Sequence, residues 1–313
     1  MAWQGVETIR VVANGISFEV ATMGCGDRLA LCLHGFPEHA FSWRNQMPLL
    51  ANLGYRVWAP NLRGYGGTDS PPDVASYRMQ ILVEDVAALI KASGAAETLL
   101  IAHDWGGALA WLLAMRQREL IGRLVIMNVP HPACFARELR KPRQLLRSWY
   151  MFFFQIPALP EFLLRRNDAQ AIGDMFRSRS RKRARIPEDV IDVYRQNALR
   201  PGGLTAMLNW YRAFSQGRKG PSMRAGFPKI TTPTLFLWGD ADVALDFRTT
   251  QGTGDHVADL TFRVLPGISH WIQQEAPEAV NAMLEAWLTG ARVPEYREII
   301  HAPKQHVRAV PSP

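Results

Sequence analysis

The 313-residue chain is 48% hydrophobic and 20% charged, which argues against a disordered chain and allows a sizeable core in one large domain or two. Cys25, Cys32 and Cys134 are odd in number and lack C-x-x-C spacing; they argue against a disulfide scaffold or zinc motif and fit a reducing, cytoplasmic setting. The formal charge of +8 is concentrated locally, with six basic residues in "RSRSRKRAR" (177–185) and others in the tail from 301 to 313. A basic run can be an anionic-surface or nucleic-acid patch. No nucleic-acid-binding motif accompanies it, so the reading is a solvated face with no nucleic-acid partner.

The start, "MAWQGVETIRVV", has no basic segment followed by an apolar one and does not read as a secretory signal. "LALCL" (29–33) is apolar without alternation, as expected of a strand buried on both faces. "YRVWAP" (55–60), "TLLIA" (98–102), "RLVIMNVP" (123–130) and "TPTLFLWG" (232–239) read the same way. In "MQILVEDVAALIKASG" (79–94), Leu82, Val86, Leu89 and Ile90 share one helical face and Gly94 suits the cap. Strands alternating with helices predict a mostly parallel sheet covered on both faces. From 131 to 228 the pattern turns helical and Arg-rich, with one helix starting at Pro187 followed by Glu188 and Asp189. The predicted organisation is an α/β core over 1–130 and 229–313, with a helical insertion over 131–228. "WYMFFFQIPALPEFLL" (149–164) is too short and too interrupted to span a membrane.

The stretch "TLLIAHDWGGALAWLL" reads as strand, sharp turn, helix, with Asp104 flanked at plus and minus two by Ala102 and Gly106. That frame matches the G-x-S-x-G elbow, where a nucleophile sits on a strained turn between small neighbours. An ordinary helix N-cap would also explain an Asp, but not the small residues on both sides. The turn places the carboxylate at the carboxyl ends of the strands, where open α/β sheets bind ligands, and at a helix N-terminus that favours its charge. An aspartate in place of serine can displace a leaving group at saturated carbon and form an alkyl ester. Hydrolysing that ester requires a base, an acid to orient it, and donors for the oxyanion. His270 in "LPGISHWIQQEAPEAV" and Asp242 in "LFLWGDADVAL" supply the base and the acid in the chain order of this fold, with Asp240 as a turn partner. The backbone N–H groups of Phe36, in "LHGFPEHAFSWR", and of Trp105 are the expected oxyanion donors. Phe36, Pro37 and Trp105 are expected at the substrate.

The motifs "HGFPE", "RGYGGTD", "HDWGG", "NVPHP", "WGDAD" and "GISHW", in that order, resemble the α/β-hydrolase-fold epoxide hydrolases over about residues 5 to 290. The resemblance implies a lid inserted after the sixth core strand, and two lid tyrosines that hydrogen-bond the epoxide oxygen. The matching positions are Tyr150 in "SWYMFFFQIP" and Tyr211 in "LNWYRAF". Without it, each tyrosine would read as an amphipathic core residue. The implied reaction turns an epoxide into a vicinal diol with no metal or other cofactor. Haloalkane dehalogenases share this elbow, but they commonly carry Asn where Phe36 stands. Fluoroacetate dehalogenases share the HGFP turn, but typically carry Arg where Trp105 stands. A serine esterase is disfavoured by Asp104, and a non-catalytic relative by the assignable triad. Trp43, Trp105, Phe152, Phe153 and Phe154 suggest an apolar substrate, although phenylalanine clusters also form lid cores.

Overall fold

The structure is a computed structural model that describes residues 3–177, 186–217 and 226–301. Most of the basic run and nearly all of the tail lie outside the described residues. Eight strands form one sheet in the order β1-β2-β4-β3-β5-β6-β7-β8. They are β1 (Glu7–Ala13), β2 (Ile16–Met23), β3 (Arg28–Leu33), β4 (Arg56–Pro60), β5 (Glu97–His103), β6 (Arg123–Met127), β7 (Thr234–Gly239) and β8 (Leu260–Leu265). β1 pairs antiparallel with β2, and β2 with β4; every other pairing is parallel. The five apolar runs of the sequence are β3 to β7. The strands that apolar runs do not reveal are β1, β2 and β8, which are partly solvated and sit at or beside the sheet edges.

The core divides by strand alternation. Leu29, Leu31 and Leu33 of β3 face one layer with Leu100, Leu124, Phe236 and Trp238. Ala30 and Cys32 face the other, with Ile101, Val125, Met127, Leu235 and Leu237. A strand buried on both faces needs an apolar residue at every position. The helices outside the insertion are α1 (Met47–Asn52), α2 (Met79–Ser93), α3 (Asp104–Arg116), α10 (Thr253–His256), α11 (Ile272–Glu275), α12 (Pro277–Leu288) and α13 (Tyr296–His301). α2 and α3 pack on the first face, while α1 and α12 pack on the second. α2 buries Leu82, Val86, Leu89 and Ile90 and ends at Gly94 in the left-handed conformation, as the sequence pattern requires.

Between β6 and β7 the described residues carry six helices and no strand. These are α4 (Pro132–Glu138), α5 (Pro142–Arg147), α6 (Trp149–Phe153), α7 (Leu159–Arg177), α8 (Glu188–Leu199) and α9 (Gly203–Gly217). α7 is interrupted at Arg166–Ala169, and α8 follows directly on Pro187. Among the described residues no helix is long and apolar enough to cross a membrane.

α9 is tied to the core through the loop after β4. The Trp210 indole N–H donates to the Arg63 carbonyl at 3.1 Å. The Arg63 guanidinium donates twice to the Asp85 carboxylate of α2, at 2.7 and 2.6 Å, and both side chains are buried. Removing one member of such a pair strands a buried charge. Asp85→Ala should therefore lower the unfolding free energy by about 3–5 kcal/mol in urea titration. Replacing the pair together, as Arg63→Met with Asp85→Leu, should recover much of that loss.

Candidate active site

The site lies along one edge of the sheet, where five strands reach their carboxyl ends. Phe36 follows β3, Asp104 follows β5, Asn128 follows β6, Asp242 follows β7 and His270 follows β8. Asp104 has φ of 49°, the left-handed region that costs an ordinary residue roughly 1–2 kcal/mol. A Cβ at Gly106 would lie 2.5 Å from the Leu33 carbonyl oxygen and 2.7 Å from that of His34. The end of β3 therefore sets the need for glycine there, rather than the approach of Ala102 that the spacing suggested. Gly35 is just as confined, because a Cβ on it would meet the Asp104 side chain at 2.3 Å.

Two groups contact the Asp104 carboxylate. The Phe36 N–H donates to Oδ1 at 2.8 Å. His270 Nε2 stands 3.5 Å from Oδ2. On the far side of the ring, Nδ1 is 2.6 Å from Asp242 Oδ2. Asp242 is completely enclosed and accepts from the backbone N–H groups of Ala244 and Leu245 and from the Asn128 amide, at 2.8, 3.0 and 2.9 Å. Asp240 instead accepts from the Gly267 N–H at 2.6 Å within the turn.

This geometry makes His270 strongly basic. Burial alone would lower its pKa, but Asp242 and Asp104 outweigh burial and raise it to about 10. The same attraction holds both carboxyls below their usual range against the opposing effect of burial.

Tyr150 of α6 and Tyr211 of α9 reach the site from the insertion, with ring centroids 5.9 Å apart. Burial pushes the Tyr211 hydroxyl well above its ordinary pKa, and the charge of Asp104 adds to this, so it remains a donor. Asp104, Trp105, Tyr150 and Tyr211 all line a cavity of about 420 Å³ whose other walls are mainly apolar, including Leu112, Met115, Phe135 and Phe214. Phe36 and Pro37 are not part of that wall. The Phe36 ring instead packs edge-on against Phe154 and Tyr211. Of the aromatics read as hints of an apolar substrate, only Trp105 lines the cavity. Trp43 and Phe154 are core residues, and Phe152 points outward.

Residues 31–277 match the α/β hydrolase fold family. The chain is 36% identical to epoxide hydrolase 4 of Mus musculus over 90% of its own length and 78% of that protein. It is likewise 36% identical to epoxide hydrolase 3 of Xenopus tropicalis, over 90% and 77%. A crystal structure of an epoxide hydrolase from Vigna radiata superposes with a TM-score of 0.79 at 30% identity, covering 93% of this chain and all of that one. An epoxide hydrolase from Bacillus megaterium superposes at 0.82 with 28% identity, covering 90% of this chain and all of that one. The chain belongs to the α/β-hydrolase-fold epoxide hydrolases.

Three features of this family member escape a reading by motif. Asn128, with φ of 44°, donates to Asp242 and accepts from the Gly239 N–H, so it joins β6 to the acid loop. Behind His270, His103 Nε2–H donates to the His270 carbonyl at 2.9 Å, and His103 Nδ1 is hydrogen-bonded to the Glu38 carboxylate at 2.8 Å. The side-chain amides of Gln273 and Gln274 also donate to Glu38. Finally, His131, Cys134 and His256 bring their ligating atoms within 4.8 Å of one another. The two rings stack with their planes only 4° apart at 4.5 Å, whereas a metal lies in the plane of each imidazole that binds it. One ring would have to turn before both could hold a single ion.

The sign of the His270 coupling is testable. A neighbouring negative charge favours the imidazolium, and Asp104→Asn removes one of the two charges. The His270 titration midpoint, followed by NMR, should therefore fall below its wild-type value. An unchanged midpoint would show that Asp104 does not couple to the ring.

Proposed function

We propose that this protein hydrolyses apolar epoxides to vicinal diols through an ester on Asp104, with the helices of 131–228 acting as a cap over the core. The observation that carries this reading is one cavity walled by Asp104, Tyr150 and Tyr211, with His270 and Asp242 directly behind the carboxylate. The phenols of Tyr150 and Tyr211 hold the epoxide oxygen and donate as the alkoxide develops. Oδ2 of Asp104, which faces His270, attacks a ring carbon. Oδ1, already bonded to the Phe36 N–H, remains the ester carbonyl oxygen. The Trp105 N–H at the start of α3 serves as the second oxyanion donor. We place the reaction in the cytoplasm, because three cysteines without C-x-x-C spacing fit a reducing compartment.

The two half-reactions need opposite states of His270. In the free enzyme its proton neutralises Asp104. Once Asp104 is esterified, that negative charge is gone and the ring pKa falls, so the ring gives up its proton to solvent and the neutral imidazole can accept a proton from water. Water then attacks Cγ, the Cγ–Oδ2 bond breaks, and Oδ2 leaves with the diol. The pKa that limits hydrolysis at low pH is therefore that of the ester intermediate, not the raised value of the resting enzyme.

Two experiments check this mechanism. In a single turnover in oxygen-18 water with excess enzyme, label should enter Asp104 and be absent from the first diol; label in that diol would eliminate the ester. With Tyr150→Phe and Tyr211→Phe combined, ring opening should fall by at least about a hundredfold, the low end of general-acid catalysis. Chloride release from a haloalkane, without diol from styrene oxide, would instead identify a dehalogenase.

A further inference from the structure

Twelve large apolar side chains stand exposed among the described residues, and eight of them fall between positions 145 and 163. Leu146 is 74% exposed, Phe162 62%, Trp149 60% and Phe152 56%, with Ile156 and Leu159 between them in the chain. These helices also have a distinct inner face, where Gln144, Ser148, Phe154 and Leu164 are buried. The outer face is therefore a separate apolar surface. Exposed apolar patches of this kind mark interaction sites on soluble domains.

The charges around the patch identify the partner. Residues 140–166 contain six basic side chains and one acidic one, Glu161, which is paired with Arg212 at 2.7 Å. Arg143 and Arg147 share Asp246. Arg140, Arg165 and Arg166 have no acidic partner among the described residues, and the Arg166 guanidinium lies over the Phe162 ring. In a symmetric dimer the same patch would face itself, bringing this basic rim against its own copy. An anionic lipid surface instead offers an apolar layer to Trp149, Phe152 and Phe162 and negative headgroups to the arginines.

We propose that this outer face of the insertion docks on anionic lipid surfaces. The reading of the substrate as an apolar epoxide gives the docking its purpose, because such molecules concentrate in the bilayer. α6 displays Trp149 and Phe152 outward while its Tyr150 and Met151 line the cavity, so docking brings one wall of the site to the membrane. No membrane-spanning helix is needed for this.

The test is sedimentation of the full chain with phosphatidylcholine vesicles, with and without phosphatidylglycerol, at physiological salt. Binding should require phosphatidylglycerol and weaken at high salt. The fully surface variant Arg165→Gln/Arg166→Gln should bind roughly thirtyfold more weakly. Trp149→Ser/Phe152→Ser/Phe162→Ser should abolish binding while keeping hydrolysis of a water-soluble epoxide. Failure to sediment with either vesicle would overturn the proposal. So would equal binding by the arginine variant, or a dimer in sedimentation velocity that the triple variant disrupts. Vesicle binding by a protein that hydrolyses no epoxide would leave the docking intact and remove the proposed function instead.

Discussion

The organisation of this protein depends on holding one carboxylate, Asp104, ionised at the buried end of a strand. Burial opposes that charge, and the left-handed backbone that carries it is itself strained. The Phe36 N–H and the His270 ring compensate, and each must be fixed within hydrogen-bonding reach. Much of the surrounding structure meets that demand. Gly35 and Gly106 let the end of β3 close on the turn. Asp242 holds the far side of the His270 ring, and Asn128 holds Asp242. The Glu38–His103 pair grips the His270 backbone from below, so the imidazole is located from both its side chain and its main chain.

Such mutual dependence has an electrostatic consequence. Two carboxylates flank one imidazole, so the ring's basicity reports how many of them are charged. Chemistry that neutralises Asp104 changes the protonation preference of His270 without any movement of the protein. On the proposed mechanism the covalent step itself prepares the base for the next one.

The parts legible in the sequence are those whose physics is local. A strand buried on both faces must be apolar throughout, so β3 to β7 could be read directly, while β1 and β8, partly solvated at the edges, could not. The small-x-Asp-x-small frame exposed the elbow, although the end of β3, rather than the turn's own neighbours, imposes the glycine at 106. The roles of Asn128, Glu38 and His103 depend on strands far apart in sequence, and no spacing encodes them. Asn128 and His103 did carry one usable signal, a polar residue closing a buried strand, which Asp104 shares. The run Phe152–Phe154 shows the opposite failure. Three identical residues look equivalent, yet Phe154, just past the end of α6, is buried in the core while Phe152 is exposed.

Both groups in contact with the Asp104 carboxylate come from the sheet edge, whereas both tyrosines come from the helices between β6 and β7. On the proposed mechanism the machinery is therefore divided by chain segment. Formation and cleavage of the ester reside in the scaffold, and recognition of the departing oxygen resides in the inserted piece. An insertion between two strands can be exchanged without disturbing the registry of either. A lineage built on this plan could acquire a new leaving group by replacing one contiguous stretch of sequence, keeping its nucleophile and its base where they stand.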